Sequence, residues 1–250
     1  MTPIARHRSI LEKLEEFGEV SVVGLAENMN VTTETIRRDL ALLEKAQKLI
    51  KIHGGAISSQ KVNEGSFEQR LSCKREQKEI IALYAAKLIK ENDVVFIDSC
   101  TTNYSLSTNL TIGNITVITN SPRIADGAKK ANDSNNIILL GGLYNSYYQA
   151  TLGGETVSQI AQYQSDISFI GAGGINSEEN IMIKNHDEGV IAKEMLSRSQ
   201  KRIVLCDSSK FYQSGLFKVS GVSEVDTVIT NSSEKDEYLR QSFSDNIIFV

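Results

Sequence analysis

The spacing of apolar residues at the start of the chain predicts three helices. The first helix carries apolar residues at helical spacing until Gly18 ends it: Ile4, Ile10, Leu11, Leu14 and Phe17. A second, shorter helix ends near Asn30, a residue type that tolerates a left-handed turn. In the third helix Ile36, Leu40 and Leu43 share one face, because one or two helical turns separate them. The pattern predicts a small helical unit around a shared core.

The stretch after the third helix predicts a hairpin. Residues 49–57 alternate apolar and polar positions around Gly54 and Gly55, which is typical of two short strands joined by a tight turn. Residues 20–22 are too short a run to predict a strand. Three helices followed by such a hairpin are the elements of a winged helix-turn-helix.

The outward face of the third helix is polar and basic. At 100° per residue Arg38 lies opposite Ile36, and Thr35 and Arg37 flank it. A short helix with Thr and Arg in its N-terminal half fits the DNA major groove, where its first residues reach base edges. The alternative is that Arg37 and Arg38 form a solvated helix face, as most arginine pairs do. Spacing alone leaves both interpretations open.

The rest of the chain alternates between strands and helices. From residue 76 onward, apolar runs typical of buried strands are separated by helical patterns: 94–97, 115–119, 136–140, 167–170, 202–206 and 225–230. Continuous apolar strands that alternate with helices predict a mainly parallel sheet covered on both faces. Residues 58–75 are polar and aperiodic, which predicts a linker. The expected organisation is therefore a first domain at 1–57, a linker at 58–75 and an α/β domain at 76–250.

Polar residues follow these strands directly, and parallel α/β sheets bind ligands beyond the carboxyl ends of their strands. Hydroxyls and backbone N–H groups suit phosphate, a lysine adds counter-charge, and carboxylates suit sugar hydroxyls. The pattern predicts a pocket for a phosphorylated sugar or polyol. The alternative is that each residue only caps a helix or turns a loop. The residues are Asp98, Ser99, Thr101, Thr102, Thr119, Asn120, Ser121, the paired glycines Gly141 and Gly142, Asp207, Ser208, Ser209 and Lys210.

Composition excludes several classes of protein. The 250 residues contain no apolar run long enough for a membrane span, and the first residues lack the apolar core of a secretory signal. We therefore expect a cytoplasmic protein without membrane contact. The three cysteines are widely spaced and form no C-x-x-C, so neither a disulfide framework nor a zinc site is expected. No metal and no cofactor is predicted.

The net charge of −4 argues against nucleic-acid binding when the chain is considered as a whole. The charges of its two parts give a different result. The first 57 residues are neutral, with eight basic and eight acidic side chains, so the later residues carry the whole surplus. Residues 35–57 have a local charge of +3. Because binding to a phosphate backbone needs only one positive face, the acidic total excludes nothing.

Three segments of the first domain resemble DeoR-type bacterial repressors: residues 20–27 (VSVVGLAE), 31–40 (VTTETIRRDL) and 53–56 (HGGA). The resemblance implies a winged helix-turn-helix that binds double-stranded operator DNA. The implied DNA contacts are Thr33, Thr35, Arg37 and Arg38 in the third helix and Lys51 and His53 in the wing. Asp39 is expected to hold an arginine or to cap the helix pair.

The resemblance covers essentially the whole chain, including a connecting segment at residues 64–70 (EGSFEQR). In this family the second domain is similar to ribose-5-phosphate isomerase and CoA-transferase folds and senses a small molecule, usually a sugar phosphate. The resemblance implies a repressor of a carbohydrate-catabolism operon, released by its effector and acting as a homodimer or homotetramer. The implied effector-binding residues are Asp98, Ser99, Thr101, Thr102, Asn120, Gly141, Gly142, Lys193, Asp207 and Lys210.

Two departures from the family pattern affect this pocket. Cys100 replaces a glycine, whose lack of a side chain lets backbone N–H groups approach a phosphate. Residues 143–148 (LYNSYY) follow Gly142 where the family commonly has an arginine. A pocket with one cation fewer and additional aromatic rings suits a less charged effector or a stackable sugar face. Whether the effector is phosphorylated stays open.

An enzyme is the alternative, because the second domain resembles an isomerase fold and several side chains could exchange protons: Asp98, Glu188, Lys193, Asp207 and Lys210. Fold alone does not confer function. The three histidines are far apart, and residues 171–174 (GAGG) lack the spacing of a dinucleotide fingerprint. We expect a regulator without catalytic activity. A sugar-phosphate isomerase with an appended interaction domain is the competing hypothesis.

Overall fold

The computed structural model describes residues 3–17, 19–46, 48–52, 54–58, 65–233 and 236–250. The chain divides into two compact units, Met1–Gly65 and Ser66–Val250. The second unit therefore begins ten residues before the expected position 76, within the segment predicted as a linker. A helix at Phe67–Ser72 lies there, with Phe67 buried and Ser66 and Gln69 forming a capping box. Six residues are too few to give a recognisable periodicity, which is why the sequence did not indicate this helix.

The first unit contains three helices and a three-stranded antiparallel sheet, with strand order β1-β3-β2. Its elements are α1 (Pro3–Phe17), β1 (Glu19–Ser21), α2 (Val22–Met29), α3 (Thr33–Lys45), β2 (Leu49–Ile52) and β3 (Gly55–Ser58). The hairpin β2–β3 confirms the predicted wing. Strand β1 was not predicted, because its partner lies more than 30 residues later, where Val20 pairs with Ala56.

Local capping residues fix the helix-turn-helix. The Ser21 side chain accepts a hydrogen bond from Gly24 N at the start of α2, and Thr32 accepts one from Thr35 N at the start of α3. Asn30 ends α2 in the left-handed conformation with φ 51°. The predicted inward residues Ile36, Leu40 and Leu43 are buried in the shared core, as their spacing indicated.

Two adjacent glycines shape the wing. Gly54 has φ +82°, a conformation that residues with a Cβ atom rarely adopt. A Cβ atom on Gly55 would lie 2.1 Å from the Val20 carbonyl oxygen, so β3 can approach β1 only with glycine there. Gly54 therefore permits the turn of the wing, and Gly55 permits the close packing of β3 against β1.

The second unit is built on a seven-stranded parallel sheet with the order β15-β14-β12-β9-β4-β5-β6. Its strands are β4 (Val94–Ile97), β5 (Thr116–Thr119), β6 (Asn136–Leu139), β9 (Ser165–Gly171), β12 (Ser199–Leu205), β14 (Thr227–Thr230) and β15 (Ile247–Phe249). Strands β5 and β6 lie on one side of β4, whereas β9, β12, β14 and β15 lie on the other. The strand order therefore reverses between β4 and β9, and ligands of α/β proteins bind at such a switch point.

Helices cover both faces of this sheet. They are α4 (Phe67–Ser72), α5 (Arg75–Ala86), α6 (Thr101–Thr108), α7 (Pro122–Ala131), α8 (Gly154–Ile160), α9 (His186–Ser197) and α10 (Asp236–Ser242). Successive strand residues face opposite sides, so Phe96 belongs to one apolar cluster while Val95 and Ile97 belong to the other. Helices α5 to α7 complete the second cluster and α8 to α10 the first. The predicted parallel α/β architecture is confirmed.

Smaller elements flank the main sheet. A hairpin forms from β7 (Leu143–Asn145) and β8 (Ala150–Leu152), and a second sheet from β10 (Gly174–Ile175), β11 (Asn180–Ile183) and β13 (Phe217–Gly221). Short 3₁₀ turns occur at Ser208–Lys210 and Val222–Glu224. Within the described ranges, every helix is too short or too polar to cross a membrane.

A buried ion pair joins two helices of the first unit. The Arg6 guanidinium donates to both oxygens of Asp39, with Nη2 at 3.1 Å from Oδ1, and His7 Nε2 lies 2.8 Å from Oδ1. Asp39 therefore holds an arginine, as expected. Burial raises the pKa of Asp39, but hydrogen bonds from Arg6 and His7 outweigh it, and the pKa lies below its usual value.

Replacing Asp39 by Ala should destabilise the first unit by about 2 kcal/mol, since a charged, buried hydrogen-bonding group loses its partner. Because the folded-state pKa is depressed, the ionised carboxylate stabilises the fold above its unfolded pKa, and this contribution is lost as pH falls below about 3.8. Hydrogen exchange of the α3 amides in urea, at neutral and acidic pH, measures both effects. The matched control is Glu12→Ala, which removes the exposed partner of Arg8 and should change exchange far less. Equal protection in Asp39→Ala and wild type would show that the pair is not stabilising.

Candidate functional site

Helix α3 presents two exposed arginines near its N-terminal half. The side chains of Arg37 and Arg38 are 63% and 79% exposed, while Thr33 and Thr35 are half-buried beside them. The Thr32 cap orders the first turn, with its Oγ1 2.9 Å from Thr35 Oγ1. The predicted residues of α3 are therefore on an ordered, accessible helix start.

Glu34 forms ion pairs with both arginines, which the sequence analysis did not predict. Its Oε2 lies 3.7 Å from Arg37 Nη1, and its Oε1 lies 3.6 Å from Arg38 Nε. The spacings i to i+3 and i to i+4 were the available signal, because such side chains are neighbours on a helix. These exposed pairs add little stability, because solvent screens them.

The wing residue Lys51 is tied to the end of α3. Its backbone N–H donates to Glu44 Oε1 at 2.9 Å, and its Nζ lies 4.0 Å from Glu44 Oε2. The Lys51 side chain is 39% exposed and remains accessible. The other predicted wing contact, His53, lies outside the described residues.

In the second unit, Asp98 closes the loop after β4. Its carboxylate accepts hydrogen bonds from Cys100 N at 3.0 Å, Asn103 Nδ2 at 2.8 Å and Gly171 N at 3.0 Å. Burial raises the pKa of Asp98, although these hydrogen bonds oppose the increase. Donors within the protein thus engage the carboxylate that the sequence assigned to an effector, and they join β4 to β9 at the switch point.

The Cys100 side chain lies between the loop after β4 and the end of β9. A Cβ atom on Gly171 would lie 2.5 Å from Cys100 Sγ, so the thiol packs directly against the end of β9. Its sulfur also accepts from Asn103 N at 3.4 Å and caps α6. Burial and then the neighbouring Asp98 raise the pKa of the Cys100 thiol well above its usual value. Its surroundings therefore disfavour the thiolate form.

The loops after β4 and β5 are joined by Asn120. Its Nδ2 donates to Thr151 O at 3.0 Å and lies 3.5 Å from Ser99 Oγ. Ser99, Thr101 and Thr102 are buried at the start of α6. The structure thus places these four predicted residues at one edge of the sheet with Asp98.

Gly141 and Gly142 form a turn at the edge strand β6, two strands away from β4. Gly142 has φ +139°, and a Cβ atom there would lie 2.1 Å from Thr156 Oγ1. Gly141 O accepts from the same hydroxyl at 2.8 Å. Packing against α8 therefore explains the two glycines without a ligand.

Asp207 caps the 3₁₀ turn after β12. Its Oδ1 accepts from Ser209 N at 3.1 Å and from Ser209 Oγ, and Lys74 Nζ lies 3.5 Å away. Burial raises the pKa of Asp207, but the Ser209 hydrogen bonds and the charges of Lys210 and Lys74 outweigh it and lower the pKa overall. The surroundings of Asp207 therefore favour its ionised form.

Lys78 on α5 is a further charged group here, which the sequence analysis missed. It is 5% exposed, and its Nζ donates to Cys73 O at 2.8 Å and to Arg70 O. Burial lowers the pKa of Lys78, and the charge of Asp207 opposes this decrease. The available signal was its spacing, because Lys78 lies in line with the inward residues Ile81, Ala82 and Ala85.

The structure does not place Lys193 beside the other predicted residues at the carboxyl ends of the strands. Its exposed side chain lies in the second half of α9. The pKa of Glu224 is lowered first by hydrogen bonds from Gly221 N and Ser220, and then by Lys218 and Lys193. Glu224 precedes the amino end of β14, so Lys193 acts at the opposite end of the sheet. Lys193 was expected at the carboxyl ends of the strands, but the direction of α9 carries it away.

Two protein families match the sequence. The DeoR-like helix-turn-helix domain matches residues 6–62, and the DeoR C-terminal sensor domain matches residues 73–232. The structure is similar to a ribose-5-phosphate isomerase in complex with phospho-erythronic acid, with 19% identity and a TM-score of 0.41 over 55% of this chain and 54% of that one.

Similar proteins span nearly the full length. The transcriptional repressor GlcR of Bacillus subtilis is 30% identical over 95% of this chain and 90% of its own. The L-fucose operon activator of Haemophilus influenzae is 30% identical over 98% of each chain. The glycerol-3-phosphate regulon repressor of Escherichia coli is 30% identical over 93% and 92%. The chain belongs to the DeoR family of helix-turn-helix transcriptional regulators.

Proposed function

We propose that this protein represses a carbohydrate-catabolism operon and leaves its operator when a sugar or sugar phosphate binds the second unit. The observation that carries the proposal is the exposed basic start of α3, within a capped helix-turn-helix. The names of the relatives support the regulated class, since they include an L-fucose operon and a glycerol-3-phosphate regulon. One relative is an activator, and repression is chosen because the other two are repressors.

On this proposal α3 enters the major groove. Arg37 and Arg38 reach guanine edges or phosphates, since a guanidinium pairs with the two acceptors of guanine. Thr33 and Thr35 add hydroxyl contacts, while Lys51 and His53 of the wing touch phosphate or the minor groove. Operators of this type are usually repeated, so a homodimer or homotetramer is expected to bind double-stranded DNA in the cytoplasm.

The effector is proposed to bind at the carboxyl ends of the strands, beside Asp98, Ser99, Thr101, Thr102, Asn120, Asp207 and Lys210. Release from DNA requires that the effector favour the arrangement that binds DNA poorly, with a coupling of about 1 to 3 kcal/mol. The competing isomerase hypothesis needs carboxylates able to exchange protons with a substrate. Hydrogen bonds within the protein already engage Asp98 and Asp207, which favours a binding site over a catalytic one.

Replacing Arg38 by Ala should weaken specific operator binding by about 1 to 3 kcal/mol, because a bidentate base contact is lost. A gel-shift titration at fixed salt measures the change. Arg198→Ala is the matched control, since Arg198 also forms an i to i+4 pair with a glutamate, on α9. Unchanged affinity in Arg38→Ala would contradict the assigned contact, and turnover of pentose or hexose phosphates without operator binding would favour the isomerase.

Replacing Lys210 by Ala should leave operator affinity intact and abolish release by the effector, because its charge lies beside Asp207 and Lys78 at the strand ends. A thermal-shift panel of free and phosphorylated sugars identifies the effector, since a ligand of the folded state raises its stability. Operator release by that compound is then followed by gel shift. Lys193→Ala is the control and should retain release, because Lys193 lies near Glu224. If Lys210→Ala is still released, the effector site is elsewhere.

A further inference from the structure

Strand β6 is an edge of the main sheet, and among the described residues it pairs with β5 alone. The backbone N–H groups of Asn136 and Leu140 donate to β5, at 2.9 and 2.8 Å. Because backbone groups alternate in direction along a strand, the N–H and C=O groups of Ile137 and Leu139 face away from the sheet. We call the outward side of Asn136–Leu139 the β6 edge.

The side chains of the β6 edge are apolar and accessible. Leu139 is 47% exposed, and Ile137 and Ile138 are half-buried. The strand contains no charged residue and no proline, two features with which proteins keep an edge strand from pairing. Unpaired backbone groups together with apolar side chains make a surface suited to another β-strand.

The opposite edge of the same sheet is protected. Strand β15 has only three residues, and the guanidinium carbon of Arg240 on α10 lies 4.3 Å from the centroid of the Phe249 ring. Short strands and charged side chains are common means of preventing edge-to-edge contact. The difference between the two edges indicates that β6 is the one that receives a partner strand.

Charge beside the β6 edge is balanced, which favours a second copy of this chain as the partner. Lys130 Nζ on α7 lies 2.6 Å from Asp126, and Lys129 Nζ lies 3.1 Å from Asp133. These two basic and two acidic side chains cancel, whereas the residues after position 57 together carry the whole net charge of −4. Two copies therefore meet at a neutral surface, although the units that carry it repel each other through their net charge.

We propose that the β6 edge is a homodimer interface, at which β6 of a second copy pairs antiparallel about a two-fold axis. A register centred on Ile138 uses all the outward backbone groups. It places Ile137 opposite Leu139 of the second copy, and each such pair exchanges both of its hydrogen bonds. The two main sheets then form one continuous sheet. The inference gives a surface to the homo-oligomer that the proposed function expects, and it rests on that function in no other respect.

The same register provides a site for the exposed Leu139 side chain. Ile137 packs in the apolar cluster that α7 helps to complete, and Leu139 points to the same face because it lies two positions later. A groove of about 500 Å³ runs beside Ile137, between β6 and the side of α7 that carries Ala125 and Lys129. Leu139 of each copy enters the groove of the other. One surface thus complements itself, as a two-fold interface requires.

The test is sedimentation velocity of the full-length protein over a range of concentrations, without DNA or effector. Leu139→Lys puts a charge on the β6 edge and should give species of half the wild-type mass, with a dissociation constant at least about tenfold higher. Leu83→Lys is the matched control, because it makes the same change at a side chain of 48% exposure on α5, where the helix backbone is already paired. It should keep the wild-type mass. A monomeric wild type, or a mass that Leu139→Lys leaves unchanged, would overturn the proposal.

Hydrogen exchange of the wild-type protein tests the strand pairing directly and depends on no variant. The outward amides of Ile137 and Leu139 should become at least about tenfold better protected as the protein assembles with rising concentration. The amides of Asn136 and Leu140 donate to β5 and should be protected at every concentration. Rapid exchange of the two outward amides in the assembled protein would contradict the proposal, whatever the lysine variants do.

A gel shift with operator DNA tests the proposed function separately. An assembled protein with protected Ile137 and Leu139 amides that binds no operator would contradict the contacts assigned to α3 and support the β6 interface. Operator binding by a protein whose outward amides exchange rapidly would do the reverse.

Discussion

The hydrogen bond from Gly171 N to the Asp98 carboxylate connects β4 and β9 where the strand order reverses. The same carboxylate accepts from Cys100 N and Asn103 Nδ2, so it fixes the loop that starts α6. The geometry of the strand ends follows from this contact, because the loop, the helix start and the neighbouring strand cannot move independently. Removing this buried acceptor would leave the Cys100 and Gly171 N–H groups unsatisfied, which is costly in a buried site, whereas Asn103 Nδ2 would keep its hydrogen bond to Phe169 O.

Charge organises the surroundings of that contact. Asp207 stays ionised next to Lys74 and Lys210, and the buried Lys78 reaches the carbonyl groups of the preceding turn. The second unit carries the whole net negative charge of the chain, yet its strand ends collect cations. The positions of the charged side chains are therefore more informative than the net charge of either unit. The first unit, for example, exposes Arg37 and Arg38 on α3 although its first 57 residues are neutral.

Much of the fold could be predicted from the sequence, whereas the candidate site could be predicted only in part. Helix α3 was predictable because Ile36, Leu40 and Leu43 repeat at a helical period that local geometry alone determines. Strand β1 and helix α4 were missed, since a three-residue strand gains stability from a distant partner and a six-residue helix from the burial of Phe67. Lys193 was misplaced because the sequence does not show the direction in which its helix, α9, runs.

The sequence by itself determined the family, the order of the elements and the polar residues that follow each strand, because periodicity and capping are properties of neighbouring residues. Only the tertiary structure decided which of those residues meet. Strand order brings Asp98 and Gly171 together across 73 positions, and the docking of α4 brings Arg70 to Tyr148. Such contacts depend on how distant segments pack, and no local pattern encodes them.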